Sequence, residues 1–140
     1  MPLSALTPPP SATRIDLQTP ETAQAALRTF FRIAERWQLT AAEQGRLLGV
    51  AKSTLYDWKA GRVRRGLEPY VLERLSYVFG IYAALQILFP QPERADAWLR
   101  KPNTAPVFGG RSALDRMLAG NVADLYVVRQ YLDAQRGGWA

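Results

Sequence analysis

Apolar and polar residues recur along most of the chain with the spacing of α-helices. Between Thr19 and Trp37 the apolar positions fall three or four residues apart, which places them on one face of a helix. Thr19 is a good capping residue and Pro20 suits the first helical position, so a helix is predicted to begin there and to end near Trp37. We expect its apolar face to lie in the core.

The segment 39–65 shows the pattern of two short helices joined by a tight turn. Thr40 and Glu43 fit a capping box at the start of the first helix. Gly49 can adopt the left-handed conformation that ends a helix, and the second helix is predicted from Lys52 to Lys59. Together these signals predict a helix-turn-helix whose second helix presents its polar residues outward.

A long periodic stretch begins at Glu68-Pro69 and ends before Pro90. Its apolar residues form a seam in alternating steps of four and three: Val71, Leu75, Val78, Tyr82, Leu85 and Phe89. Three interpretations of this seam are open: it closes the core of the preceding helices, pairs with a second copy of the chain, or does both in different turns. In each case we expect one long helix that bridges the two halves of the chain.

Three further helix patterns follow from Pro92 onward. The first ends at Pro102-Asn103, and the second begins after Ser112, a capping residue, and ends at Gly120. The third begins near Asn121, and the chain is expected to leave it at Arg136 because two glycines follow. The apolar residues on the inner face of the third helix are Val122, Leu125, Val128 and Leu132.

These elements place the chain in the all-α class, because every strong pattern has the helical period. The proline-rich beginning has little that could pack, and we interpret it as a flexible lead-in without an assigned function. The predicted division is a lead-in at 1–20, a helix-turn-helix domain at 21–67, a bridging helix at 68–90 and a C-terminal domain at 91–140.

Composition narrows the possible chemistry. The chain has no cysteine and no histidine, so disulfides, thiolate metal sites and the commonest general base are all excluded. Asp115, Asp124 and Asp133 are nine residues apart, so on a continuous helix successive members would lie about a half-turn apart and would not converge; we interpret them as solvated charges. We therefore expect no enzymatic activity, no metal and no cofactor.

The net charge of +6 fits a polyanionic partner, and the excess of lysine and arginine lies before Leu67. No signal-peptide pattern is visible at the N-terminus. The longest apolar passage, 77–89, is shorter than the ~20 residues that span a bilayer. We expect a cytoplasmic protein that does not interact with membranes.

The sequence LGVAKSTLYDWKAGR resembles the Xre-type, phage-repressor-like helix-turn-helix. The resemblance implies operator DNA as a partner and a homodimer, because a lone motif reads too little of the major groove. One departure is Ala51, where the family usually has a serine that caps the recognition helix. The residues expected to contact DNA are Lys52, Ser53, Thr54 and Tyr56, backed by Lys59, Arg62, Arg64 and Arg65.

The loop 61–67 carries three of these arginines and has two interpretations. It holds phosphates beside the groove and adds affinity without sequence information, or it is a solvated run of charge. The residues themselves leave both open.

The C-terminal part resembles the toxin-binding domain of the Xre/MbcA/ParS antitoxins. The residues that carry the likeness are Trp98, Leu99, Pro102, Asn103, Phe108, Gly109, Gly110, Leu114, Asp115, Leu118, Gly120, Val128, Leu132 and the closing Gly137-Gly138-Trp139. The resemblance implies a type II antitoxin that blocks an NAD-consuming RES-domain toxin encoded by a neighbouring gene. The expected toxin contacts are Arg129, Tyr131, Asp133, Arg136, Gly137, Gly138, Trp139 and Ala140.

Two alternatives remain beside this interpretation. Trp139 enters the toxin, or it folds back onto Leu132 and covers the core. The chain is an antitoxin, or it is a stand-alone transcriptional repressor whose C-terminal half only dimerises or senses a ligand.

Overall fold

The computed structural model describes residues 19–137, and within that range every named element is a helix. The expected all-α class is therefore confirmed. Positions 1–18 of the predicted lead-in (1–20) lie outside the described residues. Gly138, Trp139 and Ala140 lie outside them as well. The helices are α1 (Pro20–Arg36), α2 (Ala41–Leu48), α3 (Lys52–Lys59), α4 (Pro69–Leu88), α5 (Pro92–Trp98), α6 (Ala113–Met117) and α7 (Val122–Gly137).

The first half has the local geometry that its capping residues predict. The Thr19 side chain accepts a hydrogen bond from the amide of Thr22, and Thr40 and Glu43 form both bonds of the capping box. Gly49 ends α2 with a φ of 71°, in the left-handed region. Gly45 lies where the turn after α2 approaches the helix, because a Cβ there would meet the Val50 carbonyl oxygen at 2.8 Å.

The long helix α4 is the common support of both halves. It packs against α1 and α2 of the first half and against α5 and α7 of the second. The predicted seam is covered within the chain, although Tyr82 and Phe89 are only half-buried. The buried residues of α4 are Val71, Leu75, Val78, Ile81, Ala84 and Leu85.

The length of α4 alone does not separate it from a membrane span. It begins at Pro69, well before the apolar passage at 77–89, and it is long and apolar enough to cross a bilayer. The buried core helix of a soluble protein passes the same test. The contacts of α4 with four other helices are those of a core helix.

The C-terminal helices differ from expectation in two respects. Helix α7 continues through Gly137, so the prediction that the chain leaves the helix at Arg136 is wrong. A glycine in the last turn costs only about 1 kcal/mol relative to alanine, so it does not forbid one more helical residue. The interpretation of Asp124 as a solvated charge is also wrong, since it is buried and its carboxylate accepts a 2.9 Å hydrogen bond from Arg116.

Arginines join the end of α1 to the C-terminal part. Arg36 pairs with Asp96 of α5 at 3.1 Å, and this hydrogen bond and charge raise the pKa of Arg36 above its ordinary value. Arg100, just after α5, donates to the carbonyl oxygens of Trp37 and Gln38 at 2.8 and 3.0 Å. The carbonyl groups of the two residues that follow α1 are thus bonded across the chain.

The close approach at Gly45 generates a stability prediction. Gly45→Ala should lower the free energy of unfolding by about 1–3 kcal/mol, because the new Cβ would press on backbone that cannot rotate away. Urea unfolding followed by circular dichroism measures this change. The control is Gly137→Ala, where none of the described residues lies within 4 Å of the new Cβ and a small gain is expected. Equal losses in the two variants would contradict the assigned contact.

Candidate functional site

The outer face of α3 presents polar and aromatic side chains to solvent. Lys52, Ser53 and Tyr56 are exposed, Tyr56 to 53%. Beneath them Leu55 is fully buried, so the helix is fixed to the core by its opposite face. This face has the composition that reads base edges and phosphates in a major groove.

The other residues predicted to contact DNA lie at the edge of this face. Thr54 is half-buried and lines a cleft of about 700 Å³ between α3 and the loop before α4. Arg64 and Arg65 are exposed along the same cleft. The structure therefore brings the helix face and the basic loop together, as a phosphate-binding rim beside the groove-facing residues would require.

Two of the predicted cations already have partners within the chain. The Arg62 guanidinium pairs with Asp57 at 2.8 Å, although both side chains are more than half exposed. The Lys59 ammonium lies 5.5 Å from the centre of the Phe31 ring on α1. Their contribution to binding an anion is expected to be smaller than that of Lys52, because these contacts must be loosened or shared.

The start of α3 has no side-chain cap. Ala51 occupies the capping position with extended backbone, and no side-chain hydrogen bond satisfies the first amides of the helix. The departure noted in the sequence is thus confirmed in the geometry. The placement of α3 depends on the turn that precedes it and on Leu55 below.

A second candidate site lies at the far end of the molecule, where α4 and α7 end together. Trp98 stacks on Tyr131 with ring centres 6.2 Å apart, and Phe108 meets Tyr131 edge-on at 5.0 Å. These three rings join α5, the following loop and α7. Tyr131 was expected to contact a toxin, and the structure places its half-buried ring in this cluster.

Charged residues predicted for toxin binding line a neighbouring groove. Arg129 donates to Asp133 at 2.9 Å, and the Arg136 guanidinium is 3.8 Å from the same carboxylate. The Arg129 side chain crosses α4 at Gly80, where a Cβ would lie 1.5 Å from its Nη1 atom. The groove has a volume of about 650 Å³ and is lined by Ile87, Leu88, Arg129, Asp133, Arg136 and Gly137.

Sequence reasoning missed two residues of this end. Ile87 is 60% exposed on α4, an unusual position for a large aliphatic side chain. Its place off the seam is visible in the helical spacing, which is a signal that could have found it. Gly80 has no such signal, because its role depends on where an arginine of another helix lies.

Comparisons with known proteins agree with both halves of this arrangement. A family model described as "Antitoxin Xre-like helix-turn-helix domain" matches residues 16–80. A second, described as "Antitoxin Xre/MbcA/ParS C-terminal toxin-binding domain", matches residues 84–138. A relative from Sinorhizobium fredii (strain NBRC 101917 / NGR234), the "Uncharacterized protein y4oB", is 53% identical over 115 residues, which cover 81% of this chain and 86% of that protein.

The uncapped start of α3 generates a prediction. Ala51→Ser should raise the free energy of unfolding by about 1 kcal/mol, because its hydroxyl can accept a hydrogen bond from an amide of the first turn. Thermal unfolding of the full chain measures the gain. Ala60→Ser, at the other end of the same helix, is the matched control and should give none. A gain of the same size from both substitutions would show that capping is not its source.

Proposed function

The chain belongs to the Xre/MbcA/ParS family of antitoxins, and on that premise we propose that it neutralises an NAD-consuming RES-domain toxin encoded by a neighbouring gene and represses its own operon. The observation that supports this proposal best is the presence of two exposed faces, α3 and the end of α7, on one helical frame. Their separation allows the two partners to bind the same antitoxin. The proposed activity is binding, without catalysis or a cofactor.

The toxin arm, which is the part of the chain proposed to bind the toxin, consists of the end of α7 and the residues that follow it. The charged groove of Arg129, Asp133 and Arg136 lies beside the last described residue, Gly137, so the closing residues begin at the groove. In the proposed complex Trp139 inserts its ring into the toxin's dinucleotide cleft and stacks there, and Ala140 contacts the toxin beside it. Trp139 and Ala140 lie outside the described residues, and their role stays a prediction. Tyr131 supports this arm by fixing α7 through its ring contacts.

The DNA arm, which is the part of the chain proposed to bind DNA, consists of α3 and the basic loop 61–67. Lys52 and Tyr56 are assigned to base edges and phosphates, with Ser53 and Thr54 beside them, while Arg64 and Arg65 add affinity from the rim. We propose a homodimer acting in the cytoplasm, because two copies of the motif are needed to read two successive half-sites. The match of residues 84–138 to a toxin-binding family favours this role over that of a stand-alone repressor.

The DNA arm is tested by Lys52→Ala. The variant should reduce affinity for a duplex from the region upstream of the gene by about tenfold or more, because it removes a charge and a donor from the exposed face of α3. Fluorescence anisotropy at one fixed salt concentration measures the affinity. Lys101→Ala removes another exposed lysine, in the loop after α5, and should leave the affinity unchanged. If the two substitutions act alike, Lys52 is not a groove-facing residue.

The toxin arm is tested by ending the chain at Gly137. Loss of residues 138–140 should restore NAD consumption by the co-purified neighbouring toxin, because the inserted tryptophan is gone. The assay follows NAD with time, and DNA affinity of the shortened chain is the internal control for folding. Full inhibition by a shortened chain that still binds DNA would refute the proposed insertion and leave the DNA arm intact.

A further inference from the structure

One arginine of α4 connects the two halves of the molecule. The Arg74 guanidinium donates through Nη1 to the carbonyl oxygens of Arg46 and Leu47, at 3.2 and 3.3 Å, and through Nη2 to that of Gly120 at 2.9 Å. The first two acceptors are at the end of α2, and the third lies in the turn between α6 and α7. A single planar group therefore spans the helix-turn-helix and the C-terminal part.

The position of Arg74 also bears on the turn before the recognition helix. A Cβ on Gly49 would lie 3.0 Å from Arg74 Nε, so the guanidinium packs directly against the residue that ends α2. Because Ala51 provides no side-chain cap, this turn is one of the few local supports for the start of α3. Movement of Arg74 would therefore displace the start of α3, where the face assigned to DNA begins.

A second arginine also connects α2 to the end of α6. Arg46, on α2, donates through Nη1 to the Leu118 carbonyl oxygen at the end of α6, at 3.3 Å. The turn between α6 and α7 is thus held to α2 by two guanidinium groups. Its own backbone includes Gly120 with a φ of 98°, a conformation that other residues adopt only with strain.

We propose that Arg74 is a positioning residue that couples the α6–α7 turn of the toxin-binding domain to the recognition helix α3, so that a displaced turn lowers affinity for DNA. The inference rests on the proposed DNA-binding function of α3. The guanidinium of Arg74 donates both to the end of α2 and to the α6–α7 turn. These shared hydrogen bonds favour one relative arrangement of the two elements. Binding of a toxin to the C-terminal domain would then have a route to the DNA-binding face.

The coupling is tested by a double-mutant cycle in the full chain. Gly120→Ala strains the turn without a steric clash, since no atom of residues 19–137 lies within 4 Å of the new Cβ. The partner substitution is Arg74→Lys, which keeps the positive charge but loses the planar fork that reaches three carbonyl oxygens. Affinity for a fluorescein-labelled duplex from the upstream region is measured for the wild-type chain, both single variants and the double variant at one salt concentration.

Gly120→Ala should weaken binding about fivefold or more with Arg74 present, and less than about twofold in the Arg74→Lys background. The matched control is Gly110→Ala, in the loop before α6, which has a similar positive φ of 85° and open space for a Cβ among the described residues, and whose carbonyl is not an acceptor of Arg74. It should change affinity less than about twofold in either background. Circular dichroism confirms that each variant is folded.

The possible failures are distinguishable. Equal effects of Gly120→Ala in both backgrounds, or equal effects of Gly120→Ala and Gly110→Ala with Arg74 present, overturn the coupling while DNA binding stands. The second comparison needs no change at Arg74 and holds even if that change unfolds the chain. A wild-type chain that does not bind the duplex overturns the proposed DNA arm and this inference with it.

Discussion

The packing of α4 against α7 is the interaction on which the rest of the structure depends. Val78, Ile81 and Leu85 of α4 are fully buried, and so are the inner-face residues Leu125 and Val128 of α7. Burying one such side chain contributes about 1.5–3 kcal/mol, so this helix pair supplies a large share of the hydrophobic stabilisation. The same α4 also packs on α1 and α2, and therefore the two candidate sites, the outer face of α3 and the end of α7, share one support.

Polar contacts then determine how the helix ends meet around that support. Helix C-termini leave carbonyl groups without partners, and a buried carbonyl without a hydrogen bond is costly. Here Arg100 bonds the end of α1, and Arg74 bonds the end of α2 together with the α6–α7 turn. Because these donors come from distant parts of the sequence, they fix the relative positions of elements that apolar packing alone would specify less closely.

The features that could be predicted from the sequence are those with local physical causes. The capping box of Thr40 and Glu43, the left-handed Gly49 and the cap at Ser112 each depend on residues within a few positions, and the structure has all of them. The extent of α7 could not be read in the same way, because a single glycine disfavours a helix too weakly to fix the residue at which it ends. Asp124 likewise has its partner, Arg116, on another helix.

The two candidate sites differ in the same way in how far they could be predicted from the sequence. The exposed face of α3 follows from helical spacing, since Leu55 must point inward and Lys52, Ser53 and Tyr56 then point outward. At the other end, the groove of Arg129 exists because Gly80 leaves room for a guanidinium on α4, and the bridge of Arg74 exists because α2 and the α6–α7 turn meet there. Such juxtapositions depend on the tertiary arrangement and carry no periodic signal.

The central claim is that one chain neutralises a toxin through its C-terminal domain. The most direct test is to co-express it with the product of the neighbouring gene, purify the complex, and measure its size and its effect on NAD. The account predicts a single complex containing both proteins in which NAD is stable, with NAD consumption appearing once the antitoxin is removed by denaturation and the toxin is refolded alone. Separate elution of the two proteins, or equal NAD consumption with and without the antitoxin, would contradict it.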